Sequence, residues 1–407
     1  MLGRTISGLL LRRLPAKVAA AAGLAALVAA CSSGGGSTGS GQPSAGTVKV
    51  GVICSCSGAS GSAYQAGERA FEAWAKTVNA SGGIDGRTVD VINKDDANNP
   101  GSGVTAAQAL ISADAAVVVD LSNTDQAWAP KVVAANIPII PSAQSSLHGP
   151  DYYPVGQTHA SYIPSEIGVA KAAGATNLGD LYCAEVVVCK QTVDGLKAQG
   201  AGAGVPLVYS AAISLTGTDF TAQCLAAKQA GVQALSVGSS PEGTARVAAD
   251  CERQGFRPVY VVLGVQWSTS MATLPGLKDN TWSPYANLPF FADNPAITAL
   301  NTAMDKYYPG VRTAATTPSE ILVGMWAAGI LVEDATKASG TAKGTTLTAA
   351  QLKKGLESLN GDTLQGLAPP LTYAPGKDHP VDCWFIGHFT NGKGSVVGDG
   401  KPSCLNT

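Results

Sequence analysis

The sequence predicts an α/β fold built on parallel sheets that are covered by helices on both faces. Between residues 48 and 263, short apolar strands alternate with helical segments, and this alternation is typical of parallel sheets. Taking the first 30 residues from the 407 leaves 377. That length is too great for one small core and suits two lobes.

The first half of the body begins with a β-branched strand at 48–53. A helix is predicted over 64–78 because Ala66, Ala70, Trp74 and Val78 recur near a 3.6-residue period. A glycine-rich turn over 82–86 follows. The later predicted elements are strand 88–92, helix 104–112, strand 115–121, helix 126–136 with Pro130 in its first turn, and strand 137–140.

The second half repeats the same alternation and then becomes helical. The predicted helices are 166–173, 190–199, 219–230 and 241–254, and the strands between them are 179–183, 205–211, 232–237 and 258–263. After Trp282, helices are predicted over 295–308, 318–338 and 348–359, before a β-rich tail that includes 370–373 and 383–389.

The first 46 residues predict export and anchoring. A basic stretch with Arg12, Arg13 and Lys17 precedes the apolar run 18–30, which is the pattern of a secretory signal peptide over 1–30. The ending Val-Ala-Ala-Cys resembles the lipobox of bacterial lipoproteins, in which the cysteine, here Cys31, is lipidated. Residues 31–46 form a Ser/Gly-rich flexible linker. The alternative is an ordinary cleaved signal with an incidental cysteine.

Charge argues against several classes of partner. Four of the 27 basic residues lie in the signal, so the mature chain has 23 basic residues against 29 acidic ones, a net charge of −6. This balance gives no reason to expect binding to nucleic acid or to a polybasic membrane patch. No second apolar run is long enough to span a membrane.

The cysteines predict disulfides. Eight cysteines remain beside Cys31, and an even set in an exported chain is typical of a disulfide framework. Local spacing favours Cys183–Cys189, Cys224–Cys251 and Cys383–Cys404, which leaves Cys54 and Cys56. No CxxC pair is present and the four histidines show no ligand spacing, so we expect neither a metal site nor a cofactor.

Candidate ligand-binding loops follow from the fold class. In open α/β sheets, ligands bind outside the carboxyl ends of the strands. This rule selects the loops 54–58, 122–125, 141–145, 183–185, 238–242 and 265–267. Ser122 and Ser142 could orient an anion at a helix N-terminus, and Glu242 could meet an ammonium group. Helix capping is the alternative role for the serines, and Glu242 also suits a helix dipole.

The order of several motifs resembles a known family. Residues 78–87 read VNASGGIDGR and 95–100 read DDANNP, similar to the N-x-x-GGI-x-G and D-D-x-x-x-P runs of type I periplasmic solute-binding proteins. The resemblance covers roughly 48–395 and is to the leucine/isoleucine/valine-binding group of ABC transporters. The 122–126 loop, the Ile-Pro-Ile-Ile-Pro segment at 137–141 and Pro241-Glu242 support it.

This resemblance implies two Rossmann-like lobes joined by three crossovers, with a ligand cleft between them. Lobe 1 would comprise 47–160 plus 283–368, and lobe 2 would comprise 161–282 plus 369–407. In amino-acid-binding members, the α-carboxylate meets the loops that match Ser122 and 142–145, and the amine meets the acid that matches Glu242. The expected ligand-binding residues are Ser57, Tyr64, Ser122, Asn123, Thr124, Ser142, Ala143, Gln144, Glu242, Gln266 and Trp267.

Two departures from the family put side-chain specificity in doubt. The family's Tyr-Gly step is replaced here by 183–189, which has no tyrosine, and Cys54-Ser55-Cys56 replaces an apolar entry to the first ligand loop. An amide, a urea-like compound or a small aromatic acid therefore stays open as the ligand. Trp128 and Trp267 could be pocket walls or ordinary core residues.

The resemblance implies a monomeric, lipid-anchored, extracytoplasmic protein that is not an enzyme. It would capture an amino acid or a related small polar solute by lobe closure and deliver it to ABC permease transmembrane subunits. A sensor subunit and a ligand-free scaffold are the alternatives. Against an enzyme, the chain has no Walker loop, HExxH or G-x-S-x-G motif, and its GxGxxG match at 34–39 lies in the linker with no strand before it.

Overall fold

A computed structural model describes residues 46–57, 61–143, 145–185, 187–314, 317 and 319–405. The expected signal peptide, Cys31, most of the linker and Gln144 lie outside these residues. Within the described part of the chain, no helix is both long enough and apolar enough to cross a membrane.

The described elements alternate as predicted. The helices are α1 (Gly61–Ala80), α2 (Pro100–Ser112), α3 (Asp125–Ala134), α4 (Tyr162–Ala172), α5 (Val187–Gly200), α6 (Thr221–Gln229), α7 (Pro241–Arg253), α8 (Pro295–Tyr307), α9 (Ser319–Ala338) and α10 (Ala349–Leu356). The strands are β1 (Thr47–Cys54), β2 (Thr88–Asp95), β3 (Val117–Leu121), β4 (Ile139–Ile140), β5 (Leu178–Cys183), β6 (Leu207–Ile213), β7 (Ala234–Val237), β8 (Val259–Val261), β9 (Thr281–Tyr285), β10 (Asn360–Asp362), β11 (Leu371–Thr372), β12 (Cys383–Thr390), β13 (Lys393–Val396) and β14 (Ser403–Cys404).

The first sheet is parallel, in the order β2-β1-β3-β4. One face packs on α1 and α9 through a large apolar core that includes Phe71, Trp74 and Leu331. The other face packs on α2 and α3 around Leu110 and Trp128. Both faces are therefore covered, which explains why the inner strands β1 and β3 are largely apolar and buried. The edge strand β2 is more polar and more exposed.

The second sheet runs in the order β13-β12-β9-β8-β7-β5-β6, with β14 also paired to β12. The strands from β6 to β9 are parallel, whereas β12 is antiparallel to β9, β13 and β14. One core of this sheet, on α4 and α5, contains Leu196 and Trp384, and another, on α6 and α7, contains Phe220 and Val247. The sequence did not predict β9, which contains Pro284, because proline is normally excluded from sheet interiors.

The start of α2 and the position of Pro130 differ from the sequence-based expectation. Helix α2 begins four residues early because the Asn99 side chain accepts hydrogen bonds from two backbone N–H groups, with Pro100 in the first turn. The prediction that Pro130 lies in a first turn is wrong. Pro130 lies inside α3, five residues after its first residue, Asp125.

The GGIDGR motif is a structural turn. Gly82, Gly83 and Gly86 have positive φ angles, and a Cβ on Gly83 would lie 1.9 Å from the Arg87 carbonyl oxygen. Arg87 is fully buried, and its guanidinium donates to the carbonyl oxygens of residues 341, 342 and 345. The motif therefore fixes the loop between α9 and α10 and is not part of a ligand site.

Three stretches of chain pass between the sheets: 141–161, 286–294 and 363–382. The Asn287 amide nitrogen donates to the Val155 carbonyl oxygen at 2.7 Å and to the Leu367 carbonyl oxygen at 3.3 Å. One buried side chain thus joins all three crossovers. The exact lobe boundaries, at 160/161, 282/283 and 368/369, stay a prediction.

The disulfides agree with the predicted pairing. The structure joins Cys183–Cys189, Cys224–Cys251 and Cys383–Cys404, and the two remaining cysteines form Cys54–Cys56. Cys224–Cys251 links α6 to α7 across the longest interval, 27 residues.

We expect the double substitution Cys224→Ala/Cys251→Ala to lower the free energy of unfolding by about 3–4 kcal/mol, since the bridge restricts a long loop in the unfolded chain. Urea denaturation would measure this loss. The control is Cys183→Ala/Cys189→Ala, which opens a six-residue interval and should cost about 2 kcal/mol. A loss at the short interval equal to that at the long one would contradict this prediction.

Candidate functional site

An apolar recess lies at the carboxyl ends of β3 and β4, against α9. Its volume is about 30 Å³, and its walls include Leu121, Ile140, Val155, Val265, Ile321 and Met325. The predicted ligand residues Tyr64, Ser142 and Ala143 also line this recess. Its branched and sulfur-containing side chains make its surface mainly apolar.

Three polar side chains line the apolar recess, and two of them have a buried oxygen without a hydrogen-bond partner. Asp120 Oδ2 and Asn287 Oδ1 are buried without a partner. Glu320 accepts a hydrogen bond from the backbone N–H of Ala286. Burial raises the pKa of Glu320 to about 8, although backbone hydrogen bonds lower it. Burial, and then the charge of Asp125, raise the pKa of Asp120, so both carboxyls favour the neutral form.

A larger cavity of about 290 Å³ lies over the second sheet and is named here the acidic cavity. It is lined by Glu166 of α4, Asp180 and Tyr182 of β5, and Ser236 of β7, together with His159 and Gln266. These residues come from adjacent strands and from the helix that covers them. The cavity therefore has mainly polar and acidic walls.

Burial is the main cause of the shifted pKa values of the titratable groups that line the acidic cavity. It raises the pKa of Glu166 to about 7, against the hydrogen bond that the Ser236 hydroxyl donates at 2.7 Å. Burial, and then the charge of Glu166, raise the pKa of Asp180. Burial also lowers the pKa of His159, which favours its neutral form. A positive charge placed beside these two carboxyl groups would therefore favour their ionised forms.

The two cavities are neighbours. Val265 lines both of them. Between them, the Tyr162 hydroxyl, at the start of α4, donates to the carbonyl oxygen of Ala143, which follows β4. The apolar recess and the acidic cavity together form the candidate site, with one part on each sheet.

Comparison with known families adds an independent observation. A family model described as periplasmic binding protein matches residues 47–394, most of the chain. The chain belongs to the periplasmic binding protein family. The predicted type I membership is thereby confirmed, together with the α/β fold class.

Solved structures share the fold of this periplasmic binding protein at low identity. A branched-chain amino acid ABC transporter protein from Thermus thermophilus with bound valine has a TM-score of 0.72 and 15% identity, covering 89% of this chain and 98% of that chain. A fatty acid ABC transporter substrate-binding protein from Thermomonospora curvata has a TM-score of 0.71 and 21% identity, covering 89% and 93%. These identities show the fold alone. A comparison with curated proteins gives no significant match.

The Ser122 hydroxyl is fully hydrogen-bonded within this periplasmic binding protein. Its hydroxyl donates to Asp96 and accepts from the backbone N–H of Thr124 at 2.9 Å. It also accepts from the indole N–H of Trp128 at 3.1 Å. A hydroxyl has one donor and two acceptor lone pairs, so this group has no capacity left. These contacts give Ser122 a structural role in its loop, and the anion-orienting role expected for it stays a prediction.

Glu242 also lies outside the candidate site. It is exposed in the first turn of α7, behind Ser240, whose hydroxyl accepts from the backbone N–H of Gly243 at 3.1 Å. It does not belong to the described lining of either cavity. Its position in the first turn suits the helix dipole, and the amine-binding role expected for Glu242 stays a prediction.

Trp267 and Trp128 are core residues of the binding protein. Trp267 is 2% exposed and stacks on Phe389 with ring centroids 4.3 Å apart. Trp128 is fully buried between α2 and α3. The Trp267 ring packs in the core on α6 and α7, which favours the core role, and its expected contact with ligand stays a prediction.

The other predicted residues are distributed around the site. Gln266 lines the acidic cavity. Asn123 is exposed and accepts a hydrogen bond from Tyr64 at 2.6 Å, whereas Thr124 donates to Asp96 at 2.8 Å. Ser57 is exposed, and its backbone N–H contacts Asp95. Thus Tyr64, Ser142, Ala143 and Gln266 come together in the candidate site, and the others support it or lie apart.

Sequence reasoning missed the buried acids of the site. Glu166 and Glu320 lie within helices, and Asp180 lies inside a strand, so a search restricted to the loops after strands passes over them. An available signal was the charged Asp180 within the otherwise apolar segment Leu-Gly-Asp-Leu. A charge in a buried strand requires compensation and is a site candidate for that reason.

Proposed function

We propose that this protein is a lipid-anchored, extracytoplasmic solute-binding component of an ABC importer. It captures an amino acid or a related small polar solute between its lobes and delivers it to a permease. The observation that supports this proposal best is the pairing of an apolar recess on one sheet with a polar cavity on the other, joined at Val265. An amphipathic solute would occupy both.

Lobe closure is the proposed mechanism. A ligand that contacts both parts of the site favours the closed form by its differential affinity for the two states. The hydrogen bond from Tyr162 to Ala143 joins opposite lobes under the proposed boundaries. It would therefore contribute to the closed state. The lipid on Cys31 and the linker 31–46 would keep the body near the permease.

A thermal-shift screen of the full chain tests solute capture. The panel contains the L-amino acids, small amides, urea, polyamines, aromatic acids and a fatty acid. A ligand at 100 times its dissociation constant should stabilise the folded state by about 2.7 kcal/mol, since it binds the native form only. Calorimetry on each hit would give the affinity. Absence of stabilisation by every compound would contradict the proposal.

Tyr162→Phe tests closure. Loss of the hydroxyl should weaken ligand binding several-fold, because a smaller fraction of the protein then occupies the closed state. The matched control is Tyr209→Phe on β6, which lines neither cavity and should leave affinity unchanged. Equal affinities for the two variants would remove Tyr162 from the closure mechanism.

A further inference from the structure

Strand register and helix α4 bring two acids together on one face of the second sheet. Asp180 on β5 and Ser236 on β7 are paired in register on neighbouring parallel strands, so their side chains leave the same face. Helix α4 covers this face, and its Glu166 accepts a hydrogen bond from Ser236 at 2.7 Å. Both carboxyl groups line the acidic cavity.

Within the described residues, the Asp180 carboxyl group has no cationic side chain beside it in the cavity and one oxygen without a hydrogen-bond partner. Its side chain is 2% exposed, and its Oδ2 atom is buried with no hydrogen-bond partner. None of the described residues that line the cavity is Lys or Arg. A buried carboxylate without a counter-charge is costly. A ligand that supplies a positive charge would therefore stabilise the ionised Asp180 carboxylate.

An organic ammonium fits this site better than a metal ion. In the described part of the chain, no group of three or more His, Cys, Asp or Glu residues is arranged to hold a metal. An ammonium carries three N–H donors, which matches Asp180, Glu166 and one neighbouring hydroxyl. The volume of about 290 Å³ leaves room for the rest of a small solute, whose alkyl part can extend past Val265.

We infer that the solute carries a protonated amine and that Asp180 and Glu166 are the residues that bind it, in place of the exposed Glu242. This inference rests on the proposed solute capture and names the chemical class of the solute. Specificity for the amine then comes from the middle of β5 and from α4, and not from the loops after the strands.

Calorimetry on the full chain tests the inference. The probes are the L-amino acids, their N-acetyl derivatives, putrescine and decanoate. At least one free amine should bind, and its N-acetylation should abolish detectable binding. Asp180→Asn and Glu166→Gln should each lower its affinity at least tenfold. Glu242→Gln, with the same loss of one carboxylate at an exposed position, should change affinity less than twofold.

The outcomes separate this inference from the proposed function. Binding of decanoate or of N-acetyl derivatives, with no binding of free amines, would overturn amine recognition and leave solute capture in place. Wild-type affinity for an amine in both acid variants would overturn the assignment of these residues. Binding of no probe of any class would overturn solute capture itself. Thermal unfolding of each variant verifies that it is folded.

Discussion

Replacing Asp96 with alanine should lower the free energy of unfolding by roughly 4–5 kcal/mol, a large effect for one substitution. The Asp96 carboxylate accepts hydrogen bonds from the hydroxyls of Ser55 and Thr124, both at 2.8 Å, and from that of Ser122. It also accepts from the backbone N–H of Asn98 at 2.8 Å. The substitution leaves three buried hydroxyl groups without their acceptor.

The control for this prediction is the adjacent carboxylate. Asp95 also accepts backbone hydrogen bonds, from Cys56 and Ala97, but it is exposed. Water can replace its role, so Asp95→Ala should cost about 1 kcal/mol. Urea denaturation of both variants gives the comparison. Equal losses would show that the buried hydroxyl network around Asp96 contributes little.

Glu320→Gln should make the protein more stable above pH 8 and flatten the dependence of its stability on pH. Burial raises the pKa of Glu320 from 4.5 to about 8 in the folded state. The folded protein therefore holds a proton that the unfolded chain releases between these values. The stabilisation is complete below pH 4.5 and is lost as pH rises to 8, at about 1.4 kcal/mol per unit.

Unfolding curves recorded from pH 4.5 to 9 would measure this effect. Glutamine keeps an oxygen that can accept from the Ala286 backbone N–H and cannot ionise. Some pH dependence will remain, because burial also raises the pKa values of Glu68 and Glu166 to about 7. Glu333→Gln on the same helix, at an ion pair with Lys337, is the control and should keep the wild-type slope. Parallel curves for Glu320→Gln and wild type would contradict the prediction.

The fold was largely predictable because alternation and periodicity are local properties. Apolar runs such as 48–53 and 115–121 became strands because their sheet is covered on both faces. Strand β9 could not be predicted from the sequence because Pro284 has a low propensity for strands. Its pairing with β8 and β12 outweighs that low propensity. Tertiary contacts decided that element, and they are invisible in a local pattern.

The candidate site was predictable only in part. The strand-end rule selected Ser142, Ala143 and Gln266, and the structure places all three at the two cavities. It could not show that Asp96, from the loop after another strand, bonds the Ser122 hydroxyl. It also did not select Asp180, whose exposure to a cavity depends on how α4 lies across the sheet. Both features depend on partners that are distant in sequence.

The Asn287 amide has a mechanical consequence. Because one side chain holds Val155 and Leu367 through their carbonyl oxygens, we expect the three crossovers to bend together rather than independently. If the two halves rotate relative to each other, a fluorescent reporter attached within 289–293 should therefore respond to that rotation.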